Sequence, residues 1–570
     1  MYMYLLTLAM LCQASSVFSD TNYRLNTPIK PKAYSIAITP YFNTNDTNAF
    51  TFDGEVDITF TTEKETNLIK LHSQDLIFKD ANIKILNGAN SIPLSVSNPL
   101  EFDTNYTFAF INLQVDLQIG VEYSLKITYR GPIRADLNGF YRNYYIEKGV
   151  KKEIFYPTPI MSTYLVAFMV SEFEGIEHTN GTKEFGIFTR PEALNQTEYA
   201  LDFGMKVVDA LGAYFGIDYY STDAHLKLDH IALPDFNAGA MENWGLIKYR
   251  ESLLLYVPED STPYYKYRVA QIVAHETTHM WFGNLVTCHW WSNTWLNEGF
   301  ANYFQDYITA FVDPDVASAN VLVTGSVYAA YDADNTPTSS PITNENVNSP
   351  AEISGHFGTI TYQKAGSVIR MMHHLIGDAG FRHGLNNYLQ TNKFTSGYPD
   401  KLFKALDIGV QNTSSLAMYP NTDITEVMSS WISQAGHPIL HVDINYETDN
   451  VLLTQKRFYT NSSYSSNETY NIPITYTTGV DPDFIITKPV MVMKNKTHEF
   501  SIPGIHEDRR WIVNDLFAFL FADEVSFTRL QRVLEFMSTE TDYSVWYAAI
   551  RGLNKLWHTY LGSEALADIE

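Results

Sequence analysis

Residues 272–304 read IVAHETTHMWFGNLVTCHWWSNTWLNEGFANYF, which sets two histidines and two glutamates among apolar and aromatic neighbours. Ionisable groups are costly to bury unless something pairs with them. On a helix, positions i and i+4 lie on one face, so His275 and His279 can aim their imidazoles at a single point, with Glu276 one step round. H-E-x-x-H is the arrangement that binds zinc through two histidines and uses the glutamate as a base. A catalytic zinc needs a third protein ligand and an open fourth position. Glu298 opens a second helical run, NEGFANYFQDYITAF, after the strand-like GNLVT, and can supply that ligand. The bland alternative is a helix with solvent-facing His and Glu, and the flanking IVA, MWF and WW argue against it. The stretch therefore predicts one Zn²⁺ per chain on His275, His279 and Glu298, with Glu276 beside it.

Outward from this point the hydrophobic period changes. Short alternating runs such as AYSIAITPYF (33–42), GEVDITFTT (54–62) and YSLKITYRG (123–131) predict a half-solvated antiparallel sheet up to about residue 173. Helical periodicity follows in EYALDFGMKVVDALGAYFG (198–216) and YKYRVAQIVAHETTHMWFG (265–283). Strand-like alternation returns over 439–460 and 488–502, and NDLFAFLFADEVSFTRLQRVLEFM (514–537) reads as helical again.

The 570 residues imply several domains, and 45% hydrophobic with 18% charged composition predicts globular cores. A net charge of −25 argues against nucleic acid as a partner. The first 19 residues, an apolar run too short to span a bilayer comfortably and ending in small residues, read as a secretory signal. Sequons at Asn45, Asn105, Asn180, Asn195, Asn412, Asn461, Asn467 and Asn495 point the same way, to the secretory pathway and an extracellular or cell-surface site. Cys12 lies in the signal, which leaves Cys288 as a buried thiol. No later segment has the length and apolarity of a membrane span, so membrane association is expected only through an anchor beyond Glu570. His373 and His374 lie on an apolar helical pattern and read as packed or surface groups, and Trp290 and Trp291 as core aromatics.

GAMENWG (239–245), HETTH (275–279) and WLNEGFA (295–301), in this order, resemble the M1 family of zinc aminopeptidases in the style of aminopeptidase N. The resemblance extends to GFYRNYY, MSTYLVAFMVSEF and ETDYSVWYAAI. It implies a multidomain chain: signal peptide 1–19, N-terminal antiparallel β domain 20–173, thermolysin-like α/β zinc catalytic domain 174–436, small β-sandwich 437–511, and the start of an all-α C-terminal domain 512–570. It also implies that zinc-activated water attacks a peptide carbonyl, that Glu276 serves as general base, and that Tyr362 of ITYQKAGSVIR stabilises the oxyanion. Glu242, assisted by Glu298, is implied to hold the free N-terminal ammonium of a peptide substrate, with Gly239, Ala240, Met241 and Asn243 lining the chain.

This sequence departs from the family pattern at Thr277 and Thr278, where Leu-Ala is usual, and at Asn293, where an aspartate is expected. If that aspartate supports a histidine ligand, its loss weakens the zinc site. A block resembling QFEPTDARRAFPCFDEP, which helps grip the amine, is absent near residue 153, and a strand block is absent near 511. Two further readings stay open: a glycosylated cell-surface binding or receptor ectodomain with impaired catalysis, and an endopeptidase or epoxide hydrolase. Ala240, where the epoxide hydrolase branch carries glycine, argues against the latter.

Overall fold

The computed structural model describes residues 23–42, 47–141, 156–181, 183–317, 321–419, 422–477, 487–502, 530, 534–541 and 543–560. The predicted signal, the stretch around residue 153 and the boundary near 511 lie outside these residues. The chain divides into two compact units, one of residues 1–146 with 348–352, the other of 147–347 with 353–570.

The described residues of the first unit are mostly β-strand. Strands β1 (Ile29–Tyr41), β2 (Thr51–Thr62), β3 (Thr66–His72), β4 (Ile83–Asn87), β5 (Asn90–Ile92), β6 (Leu100–Asp103), β7 (Phe108–Leu117) and β8 (Tyr123–Pro132) make two sheets, ordered β1-β2-β8-β4-β5 and β3-β7-β6. Every pairing is antiparallel, as in the register Val56↔Ile127 of β2 on β8. The period-2 alternation has its cause here: Phe60, Ile85, Leu125 and Ile127 meet with Ile69 and Ile111 in one buried core, while the neighbours of the first four in sequence are less buried.

The second unit holds a mixed sheet of β9 (Glu174–Asn180), β10 (Lys183–Thr189), β11 (Leu228–Leu233), β12 (Ala240–Met241) and β13 (Leu246–Arg250), ordered β12-β13-β11-β10-β9. β11 pairs parallel with both β10 and β13 and is buried along its whole length. β12, which carries the GAMEN segment, is an edge strand paired only with β13 in this order. Sharing one core with the sheet are α1 (Glu198–Phe215), α2 (Pro263–Thr278), α3 (Trp295–Val312) and α4 (Ala365–Asn392), with the short β14 (Val286–Cys288) between α2 and α3 in the chain. Phe215, Trp281, Phe282, Phe300 and Phe304 are buried where these helices converge, and this core sets the relative rotation of α2 and α3. α5 (Pro399–Thr413) and α6 (Ile424–Ile432) follow. Then β16 (Pro438–Asn445), β17 (Asn450–Arg457) and β20 (Thr497–Ser501) form one antiparallel sheet, and β18 (Ile472–Ile474) with β19 (Met491–Met493) a second pair; β15 (Thr395–Gly397) precedes them beside β14. Helix α7 (Tyr543–Tyr560) ends the described chain.

By its contacts the 156–173 segment groups with the sheet-and-helix unit. The 437–511 segment keeps its own small core of Val451, Leu453, Tyr470, Ile472 and Met493 but belongs to the same compact unit. Trp290 and Trp291 are half-buried instead of core residues; the fully enclosed tryptophans are Trp281 and Trp295. Seven of the sequon asparagines are exposed, and Asn45 lies outside the described residues. Among the described residues no helix is long and apolar enough to cross a membrane.

Candidate active site

Helix α2 begins where Thr262 accepts the Tyr265 N–H and Pro263 supplies a preset first residue. It ends at the histidines. Thr277 and Thr278, the β-branched pair, are seated by hydroxyls that donate to the Val273 and Ala274 carbonyls at 2.7 and 2.8 Å, one turn back. The chain then turns at Gly283, whose φ of 140° belongs to glycine, and a Cβ there would lie 3.0 Å from His279 Nδ1. Helix α3 returns Glu298 in its first turn.

Three ligand atoms converge. His275 Nε2 lies 3.3 Å from Glu298 Oε2, His279 Nε2 lies 3.2 Å from the same oxygen, and the two Nε2 atoms are 3.2 Å apart. All three side chains are buried. Each histidine spends its other nitrogen on an acceptor: His275 Nδ1–H donates to Gln305 Oε1 at 2.7 Å, and His279 Nδ1–H to the Phe282 carbonyl at 2.9 Å. Both Nε2 atoms therefore present lone pairs to each other and to a carboxylate, an arrangement that repels itself until a cation joins it. Ligand atoms about 2.0–2.1 Å from a tetrahedral zinc stand roughly 3.3 Å apart, so the triangle fits that ion. A proton can be that cation: burial opposes ionisation of both groups, yet the Glu242 and Glu298 carboxylates raise His279 to about 10. In return His279 and His275 hold Glu298 down at about 2.

Two further carboxyls stand beside the triangle. Ligand atoms of Glu242, Glu276 and His279 lie within 4.8 Å of one another. Burial, then the Glu242 and Glu298 charges, drives Glu276 well above the ordinary carboxylate range against the pull of His279, and its Oε2 has no hydrogen-bond partner. Glu242 is raised as well, first by burial. Its backbone carbonyl accepts from Asn284 Nδ2 at 2.9 Å, and Asn243 Nδ2 donates to the Leu165 carbonyl at 3.1 Å. The Tyr362 ring stacks on His275, centroids 5.9 Å apart and planes 13° apart. Burial and the surrounding carboxylates keep its phenol protonated, hence a donor.

Sequence reasoning overlooked Tyr164, Asn297 and Gln305. Tyr164 OH donates toward Glu242 Oε1 at 3.4 Å and receives Asn297 Nδ2 at 3.2 Å, while its ring leans on Trp291. No spacing joins residues 133 apart in the chain. Gln305 had a signal: it lies two turns beyond Glu298, on the same face of α3. Asn293 hydrogen-bonds to neither histidine: it donates to Ser292 Oγ and accepts from Thr343 Oγ1, both at 3.3 Å.

The peptidase M1 N-terminal domain matches residues 30–158, and the peptidase family M1 domain matches residues 199–431, the span that carries every ligand atom above. The chain belongs to peptidase family M1. Similar proteins include membrane alanyl aminopeptidase of Manduca sexta, 31% identical over 95% of this chain and 66% of that protein. Membrane alanyl aminopeptidase of Heliothis virescens is 37% identical over 74% and 46%, and aminopeptidase N of Bos taurus 32% over 76% and 51%. The chain thus spans about half to two thirds of the length of these M1 relatives. The Manduca sexta alignment runs over 648 positions, more than the 570 residues present here, so that relative carries segments without counterpart in this chain.

Proposed function

We propose that this chain is a zinc-dependent aminopeptidase that removes N-terminal residues from peptides. The observation that carries the reading is the convergence of His275 Nε2, His279 Nε2 and Glu298 Oε2 within 3.3 Å of one another, with two further buried carboxyls beside them. The carboxyls of Glu242 and Glu276, both buried and both pushed above the ordinary carboxylate range, stand beside the three ligand atoms and would gain from a bound cation, which favours a peptide bound by its free ammonium end.

His275, His279 and Glu298 hold the zinc, which when bound provides a Lewis acid and brings the pKa of a water toward 7. Glu276, with Oε2 uncommitted and its proton affinity raised, takes a proton from the attacking water and passes it to the leaving amine. Tyr362 donates to the oxygen on which charge develops. Glu242, kept in place by Tyr164 and Asn284, receives the α-ammonium. Gly239, Ala240, Met241 and Asn243 lie on or beside the edge strand β12, where an extended peptide adds as a further strand. The exposed sequons favour work outside the cell or at its surface.

The test is release of arylamine from alanine and leucine arylamides, with and without chelator. The expected outcome is chelator-sensitive turnover that falls by about 10²–10⁴ in Glu276→Gln at unchanged zinc content. N-acetylation of the substrate is expected to abolish cleavage. Turnover of the acetylated substrate points instead to an endopeptidase, and zinc binding without turnover of any substrate to a binding ectodomain.

A further inference from the structure

We propose that Lys364 and Asp334 form a buried clamp that positions Tyr362; this rests on the oxyanion role given to Tyr362 above. Tyr362 does not sit on a regular α-helix. It lies in a π-helical turn, Ile360–Lys364, that leads into α4. Such wide turns are rare, hold less local support than an α-helix and recur at functional sites. Two residues beyond Tyr362, the Lys364 ammonium is enclosed and lies 2.7 Å from Asp334 Oδ2. It also donates to the carbonyls of Gly436 at 3.0 Å and Gln434 at 3.3 Å. Asp334, only 1% exposed, takes the Gly436 N–H on its other oxygen at 2.9 Å.

The loop between α6 and β16 is thereby stapled to the end of the turn. Gly436 makes the approach possible: its φ is 86°, and a Cβ there would run into the Arg457 guanidinium. Arg457 is itself paired with Glu468 at 3.3 Å. On the other side of Tyr362, the buried Thr361 hydroxyl donates to the His356 carbonyl. The turn is bound on both sides of Tyr362, whose ring remains half-buried over His275. A buried ion pair contributes little net stability compared with apolar residues of the same size. Its value here is directional, since it sets the backbone from which the phenol projects.

The experiment uses the zinc-loaded chain and two readouts, turnover of an alanine arylamide and binding of an aminophosphonate that mimics the tetrahedral species. Lys364→Met is expected to lower kcat about 100-fold with KM nearly unchanged, as a displacement of about 1 Å does, and to weaken the phosphonate more than the substrate. In a Tyr362→Phe background the same substitution is expected to change kcat by less than about twofold, the scatter of independent sites. If Lys364→Met does not fold, the double variant K364M/D334L, which removes both charges together, carries the same comparison. Equal losses with and without Tyr362, or no loss at all, overturn the clamp. If Tyr362→Phe itself changes neither turnover nor phosphonate binding, the oxyanion role fails and the clamp with it; if Tyr362→Phe is impaired while Lys364→Met is not, the clamp alone fails.

Discussion

Replacing Gln305 by leucine tests the histidine geometry at one atom. In the native chain Gln305 Oε1 accepts from His275 Nδ1 at 2.7 Å between side chains 8% and 6% exposed. This bond keeps the proton on Nδ1 and leaves the Nε2 lone pair free for the metal. Without the acceptor, the metal-free protein moves that proton to Nε2, where Glu298 Oε2 at 3.3 Å receives it. Zinc must then expel the proton and strand a buried N–H, a cost of about 1–3 kcal/mol. At 1.4 kcal/mol per tenfold the affinity falls by about 5–150-fold, the range found for outer partners of zinc histidines. The assay is competition for zinc against a chromophoric chelator, with thermal unfolding in excess zinc as a second measure. A hundredfold loss of affinity removes about 2.7 kcal/mol of the stabilisation by metal. Gln305→Glu keeps an acceptor and is expected to bind at least as tightly as the native chain. A folded Gln305→Leu variant that competes for zinc as well as its parent refutes the reasoning.

Three further outcomes follow from the same geometry. Glu298→Ala is expected to abolish stoichiometric zinc by metal analysis after dialysis, because two histidines alone do not close a tetrahedral site. Asn293→Asp is expected to leave zinc affinity unchanged within about twofold in the chelator competition, since Asn293 hydrogen-bonds to neither histidine. Gly283→Ala is expected to lower stability by about 1–3 kcal/mol in urea denaturation of the metal-free chain, through a backbone conformation foreign to L side chains and a Cβ pressed on His279.

Short-range geometry made the ligand set legible. His275 and His279 are one helical turn apart, and that spacing places two imidazoles on one face in any fold that keeps the helix. The alternation in β2 and β8 was legible for a similar reason, because a sheet with one covered face must repeat every two residues. The 156–173 segment was harder to place, because it is irregular apart from one short turn at Thr163–Leu165 and only its packing groups it with the second unit. Trp290 and Trp291 misled because an apolar pair beside a buried helix reads as core, whereas the half-open Trp291 serves as a wall for Tyr164.

By itself the sequence determined that His275 and His279 stand one helical turn apart at the end of α2 with Glu276 beside them, and that a β region precedes a helical one. Those are consequences of chirality and of the helix and strand periods, which act over a few residues. Only the tertiary structure decided that Gln305 sets the His275 tautomer, that Tyr164 and Asn297 hold Glu242, and that Lys364 ties the Tyr362 turn to a loop some seventy residues on. These contacts join segments distant in the chain, and their partners are chosen by which helices and loops the common core brings together; no local period encodes that choice.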